Sequence, residues 1–299
     1  MSKMIRCCKA KRLNPISHFL VIFVCGFLVS APSPAWGLKR AHWNGRKFPD
    51  AGLTSSAAPS AQTTTTTKSP AIPKGTILPV LLETTISPGK IKEGQIIRGQ
   101  TAQEVPLPGG SKIRKGSKIE GHVVEVVSAG STVGKKISIR FDKLQWQGEA
   151  VSITTDLRAI AGFSTVLQAG LPDQAMGEGD VSEWMTTTQI GGDSVYGLGG
   201  SVTSAHNADD VVGKAPMSGG VLVEVRPNAE ASCRGPLDGN NSPQALWVFS
   251  SDACGIYGIS EVKIAHAGRT EPVGTIVLEM QSPKAKIQNG AGLLLRVIA

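Results

Sequence analysis

From Ile72 onward, apolar and polar residues alternate with period two in one short run after another, and no long stretch carries the 3.6-residue period of an amphipathic helix. Period two sends successive side chains to opposite faces of a strand, so the chain must build sheets that bury one face. Strands are expected near 76–83, 94–104, 118–127, 136–144 and 149–157. A second set is expected near 184–190, 220–226, 244–250, 260–266, 273–280 and 291–298. In 136–144, Ile137, Ile139, Phe141 and Leu144 nearly alternate with Lys136, Ser138, Arg140 and Asp142. Turn signals (SPGK, PLPGG, SAGSTVGK, QWQGE) separate the first five runs. The pattern predicts an all-β fold, a β-barrel or sandwich followed by a second β-rich unit. The boundaries expected are a first domain over 71–160, a connector over 161–183 with one short helix in AIAGFSTVLQAGLP, and a second unit over 184–299.

Two stretches, IPKGTI at 72–77 and IRKGSKI at 113–119, share Lys-Gly followed by Thr or Ser and then Ile. A phosphate loop needs an earlier Gly and a following helix, and neither copy has them. Both therefore read as tight corners at strand starts, with glycine supplying the backbone freedom. GSTVGKK at 130–136 lies between two strands and reads as a hairpin turn.

These corners, with KKISIRFDKLQWQGEAVSI after them, resemble the C-terminal β-barrel domain of TrbI-like conjugal-transfer proteins. Lys74-Gly75-Thr76, Lys115-Gly116-Ser117 with Gly121, and Leu144 with Gly148 occupy the places of that family's turn and strand motifs. The resemblance covers residues 72–157. It implies a β-barrel and a structural role of the kind that family has within the outer-membrane core of type IV secretion systems. The family carries an inner-membrane helix and a Pro-rich arm; this chain has a different N-terminus. The chain as a whole is similar to exported proteins of Acidobacteria, which implies export and no particular activity.

Residues 1–37 have a basic start (Lys3, Arg6, Lys9, Lys11, Arg12), an apolar run from Phe19 to Val29, and small residues around Ala35-Trp36-Gly37. That is the layout of a secretory signal peptide, with cleavage expected after Gly37. The apolar run is about half the ~20 residues that span a bilayer. Residues 38–70 are rich in Ala, Ser, Thr and Pro and read as a disordered linker. Export to the periplasm or outer membrane, or secretion, is the localisation expected.

The formal net charge of +8 suggests a nucleic-acid binder until its distribution is read. Eleven of the 31 Lys and Arg residues precede residue 76, and the remainder holds 20 basic and 22 acidic residues. A nearly neutral folded part has no basic face to displace phosphate counterions, so nucleic acid is excluded as a main partner. The basic stretch at 38–47 is a candidate for peripheral membrane or cell-wall contact. Cys7, Cys8 and Cys25 leave with the signal peptide, and Cys233 and Cys254 remain. An even count in an exported chain predicts a Cys233–Cys254 disulfide; a free thiol beside His266 is the alternative.

No cofactor, metal or catalytic set is assigned. The histidines lack zinc-ligand spacing, and His206 with Asp209 and Asp210 is at most a weak cation loop. Ser250-Ser251-Asp252 and His266 supply the residue types of a hydrolytic triad without its sequence context. Gly-x-Gly-Gly at 197–200 lacks the βαβ unit of a dinucleotide site. The candidate ligand surface is Glu178, Glu183 and Trp184, acids beside an aromatic, together with Trp247 and Tyr257 in or beside the Cys233–Cys254 loop. The expected function is a non-enzymatic envelope protein with a structural or adaptor role, self-associating or contacting other envelope proteins. The alternative is a hydrolase or binding protein acting on glycans or peptidoglycan.

Overall fold

The computed structural model describes residues 71–128, 134–171, 186–228 and 243–299. All of these belong to one unit, Thr65–Ala299. The signal peptide and linker expected over 1–70 lie outside the described residues.

The strands, in chain order, are β1 (Ile77–Leu82), β2 (Ile96–Thr101), β3 (Val105–Pro106), β4 (Lys112–Ile113), β5 (Lys118–Ser128) and β6 (Lys135–Trp146). Then come β7 (Glu149–Ser152), β8 (Thr155–Ala161), the short helix α1 (Phe163–Ala169), β9 (Thr186–Thr188), β10 (Ser194–Tyr196), β11 (Ser201–Ser204) and β12 (Asn207–Lys214). The last are β13 (Leu222–Val223), β14 (Gln244–Ala245), β15 (Gly255–Tyr257), β16 (Val262–His266), β17 (Ile276–Met280) and β18 (Gly292–Val297). The fold is all-β, as the period-two pattern predicts.

A ten-stranded sheet runs β15-β8-β18-β1-β2-β5-β6-β17-β16, with β7 on β6. It curls into a nearly closed barrel. Just past β16, the Ala267 carbonyl accepts from the Leu157 N–H of β8 at 2.8 Å, bringing one end of the sheet back to the other. Alternate residues fill the interior: Leu78, Val80 and Leu82 from β1, Ile137, Ile139 and Phe141 from β6. The two Lys-Gly corners carry positive φ at Gly75 (86°) and Gly116 (82°), the left-handed backbone that the corner reading requires. The strands on either side of the GSTVGKK turn, β5 and β6, pair antiparallel as a hairpin does.

The second sheet is an antiparallel half-barrel, β14-β13-β12-β11-β10-β9. Its two edges meet at a parallel bridge between Ile190 and Phe249. Its core (Val195, Val202, Val212, Val223, Leu246, Phe249) packs on Ile77, Ala159, Ala161 and Leu294 from the outer face of the barrel. Strands β8 and β18 are thus covered on both faces, which explains why TDLRAIA is buried at every position.

Strand pairing corrects the expected division at residues 161–183. Strands β15 to β18, assigned above to the second unit, belong to the first sheet: β18 lies between β1 and β8, and β17 pairs with β6. The half-barrel is an insertion between β8 and β15. A sequential split fails because sheet partners are chosen by register and burial, not by proximity along the chain.

Candidate functional site

Two glycine-rich loops build the site. Tyr-Gly-Leu-Gly-Gly at 196–200 joins β10 to β11, and Pro-Met-Ser-Gly-Gly at 216–220 joins β12 to β13. Backbone bonds zip them together: Gly199 N–H donates to Ala215 C=O at 2.7 Å, and Ala215 N–H donates to Gly200 C=O at 2.9 Å. A Cβ on Gly199 would stand only 3.0 Å from Met217 Sδ, so the methionine lies against the neighbouring loop. Loop tips usually carry polar residues, yet Leu198 is 65% exposed and Met217 75%.

Between these tips, Tyr196, Trp247 and the end of α1 at Ala169 and Gly170 lies a groove of about 660 Å³. Among the described residues no charged side chain lines it. Just outside it, Leu167 on α1 and Leu171 beyond are also exposed, extending the apolar surface.

Gln103, which follows β2, fixes the groove's inner wall from the barrel side. Its Nε2 donates to Val221 C=O at 2.8 Å. Its Oε1 accepts from Val221 N–H at 3.1 Å and from Trp247 N–H at 2.8 Å. Trp247 is held with φ at +57°, a left-handed backbone that is rare for an aromatic residue. Gly220, at φ +74°, leaves the space: a Cβ there would come within 2.2 Å of Gln103 Oε1.

Gln189 is the buried polar side chain of the lining, 5% exposed. Its Nε2 donates to Trp247 C=O at 3.2 Å, which settles which end of the amide is nitrogen. The other end, Oε1, is buried and has no hydrogen-bond partner among the described residues. An unpaired buried acceptor costs about 1–3 kcal/mol.

Of the ligand-surface residues read from sequence, Trp247 lines this groove. Glu178, Glu183 and Trp184 lie outside the described residues. Tyr257 sits in β15, where its hydroxyl accepts from Cys254 N–H at 3.0 Å; it does not line the groove. Cys254 is buried, and its expected partner Cys233 lies outside the described residues. Sequence reading missed Gln189, Leu198 and Met217. The available signal was a large apolar residue inside each Gly-rich turn.

The hydrolytic residue types do not assemble as a nucleophile and base. The Ser250 hydroxyl donates to Asp252 Oδ1 at 3.0 Å, and Asp252 Oδ2 lies 2.9 Å from His206 Nε2. The serine hydroxyl thus hydrogen-bonds a carboxylate rather than an imidazole. The His266 ring instead meets Thr275 C=O and Thr270 Oγ1. In the His206 loop, Asp210 is taken by Arg226, whose hydrogen bonds hold its carboxyl below the ordinary carboxylate range. Among the described residues no group of three or more His, Cys, Asp or Glu is placed to hold a metal ion.

A larger hollow, about 950 Å³, opens at the second Lys-Gly corner beside Lys112, Arg114 and Lys118. Lys112 is paired with Glu104 at 2.8 Å, and Trp146 Nε1 donates to Lys112 C=O at 3.0 Å. No buried unpaired polar atom lines it among the described residues.

Comparison with protein-family models, with curated proteins and with solved structures finds no match to this chain.

Proposed function

We propose that this chain is a non-enzymatic envelope protein with an adaptor role, and that it works by holding an apolar ligand in the groove between its two Gly-rich loops. The observation that carries this reading is a groove whose described lining is uncharged, with Leu198 and Met217 presented to solvent at its rim. Concave, mostly apolar sites with a few placed polar groups are the usual form of small-ligand sites. The signal-peptide layout and the near-neutral folded part support an exported location, and the likeness of 72–157 to secretion-channel barrels supports a non-catalytic role.

The purified protein should bind the neutral fluorescent probe N-phenyl-1-naphthylamine saturably. Replacing Leu198 and Met217 together with Asp should weaken that binding by about tenfold or more, because each charge desolvated against an apolar ligand is costly. Equal binding by the double variant would remove the groove from the reading.

Envelope placement brings the Cys233–Cys254 disulfide with it. Closing a loop of about twenty residues is worth on the order of 3 kcal/mol, so reduction should lower the melting temperature by roughly 6–12 °C. Two free thiols counted before reduction, with an unchanged melt, would refute the bond.

A further inference from the structure

We infer that the hollow at the second Lys-Gly corner is a second binding site, independent of the apolar groove, and that it takes an acidic oligosaccharide, a sugar chain bearing carboxylates.

The near-neutral total charge conceals a local excess of cations here. Glu120, in the lining, is met by Arg98 at 3.5 Å, and Lys112 is met by Glu104 at 2.8 Å. That leaves Arg114 and Lys118, both exposed, both in the lining and both without a carboxylate partner among the described residues. A guanidinium fork grips a carboxylate with two parallel hydrogen bonds, and an ammonium adds a point charge beside it.

The rest of the lining suits hydroxyl groups. Ser117 Oγ donates to Arg114 C=O at 2.8 Å, and Ser111 Oγ donates to Pro108 C=O at 3.3 Å. With their protons committed, both serine oxygens are left to accept from a ligand's O–H. Gln145 and Gln147, exposed on the opposite wall, bring amides that both donate and accept. Carboxylates for the cations and hydroxyls for the serines occur together on a uronate sugar. Trp146, the aromatic of the described lining, is 8% exposed, which leaves no platform for stacking bases and disfavours single-stranded nucleic acid.

The cations stand on a fixed backbone. The turn from Arg114 to Ser117 is closed by Ser117 N–H donating to Arg114 C=O at 3.2 Å. Thr101, 1% exposed, clamps that turn from the barrel: its Oγ1 donates to Arg114 C=O at 2.7 Å and accepts from Ser117 N–H at 3.0 Å, and its carbonyl accepts from Gly116 N–H at 2.8 Å. The Trp146 Nε1 bond to Lys112 C=O ties the opposite wall to the same corner. Walls already ordered lower the cost of binding.

Calorimetry at low ionic strength tests the site with trigalacturonate as the probe and maltotriose as its neutral counterpart. Trigalacturonate should bind at least about tenfold more tightly than maltotriose, and added salt should weaken it. Replacing both cations, Arg114→Gln with Lys118→Gln, should weaken it by about tenfold or more, since charge-assisted bonds are lost. Both side chains are exposed, so the double variant should melt with the wild type. No binding, equal binding of the two sugars, or unchanged binding in the double variant would each overturn the inference. Displacement by sodium sulfate at matched ionic strength would reduce the hollow to a site for an adventitious ion only. Displacement by a short single-stranded DNA at lower concentration than trigalacturonate itself requires would assign it to a phosphate backbone instead.

Discussion

Replacing Gln103 with Leu should destabilise the protein by about 4–6 kcal/mol and lower its melting temperature by on the order of 10–20 °C. Gln103 is 3% exposed, and one side chain serves three backbone groups: Val221 C=O, Val221 N–H and Trp247 N–H. Leucine fills most of the space, so the cavity contribution is small. What is lost is the partner of three shielded polar groups, and each unmet group carries its own desolvation cost. The loss also frees Trp247 from its left-handed backbone, so probe affinity in the groove should fall with stability. Chemical denaturation of the two proteins measures the first effect, and probe titration the second. A change under about 1 kcal/mol would show that Gln103 is not what ties the barrel to the inserted sheet.

Asp156→Asn should cost about 3–5 kcal/mol, the usual result of leaving buried charge without its partner. Asp156 is 0% exposed, and Arg296 reaches its Oδ2 through Nε at 3.1 Å and Nη2 at 2.5 Å. Arg269 Nε lies 3.2 Å from the same oxygen. Two residues along β8, Arg158 donates to Arg226 C=O at 2.7 Å, fastening the inserted segment to the barrel wall. Burial pushes the Arg158 pKa down to about 10, and Arg269 and Arg296 push the same way. The Asp156 charge opposes that push, and asparagine removes it while keeping the shape. The loss should persist in 0.5 M salt, because shielded pairs are screened far less than surface ones. Denaturation at low and high salt checks both points; an effect that disappears in salt would place the cluster in solvent.

Much of the barrel was legible in sequence because its strands bury one face. Ile137, Ile139 and Phe141 point into the core of β6, and the alternation announces it. The inserted sheet was legible only in part. Strands β10, β11 and β12 (SVY, SVTS, NADDVVGK) show too little alternation to declare themselves, and they exist because neighbouring strands complete their hydrogen bonds. The double burial of β8 was hidden because Asp156 and Arg158 interrupt its apolar residues, and that of β18 because an apolar run does not say what covers its second face. The groove was hidden for a different reason. Leu198 and Met217 sit on separate loops, and Gln189 becomes an unmet acceptor only once Trp247 claims its nitrogen.

The placement of β18 sets the order in which this protein can fold. The last strand of the chain lies between β1 and β8, so the first strand described has one of its two partners only when residues 292–297 are present. Before then β1 can pair with β2, while the edges of β1 and β8 that β18 will occupy stand open. Contacts this distant along the chain close slowly, since the intervening loop entropy is lost before the pairing rewards it. Closure of the barrel therefore needs residues 292–297, and a chain cut short before Gly292 lacks the strand that joins its two walls.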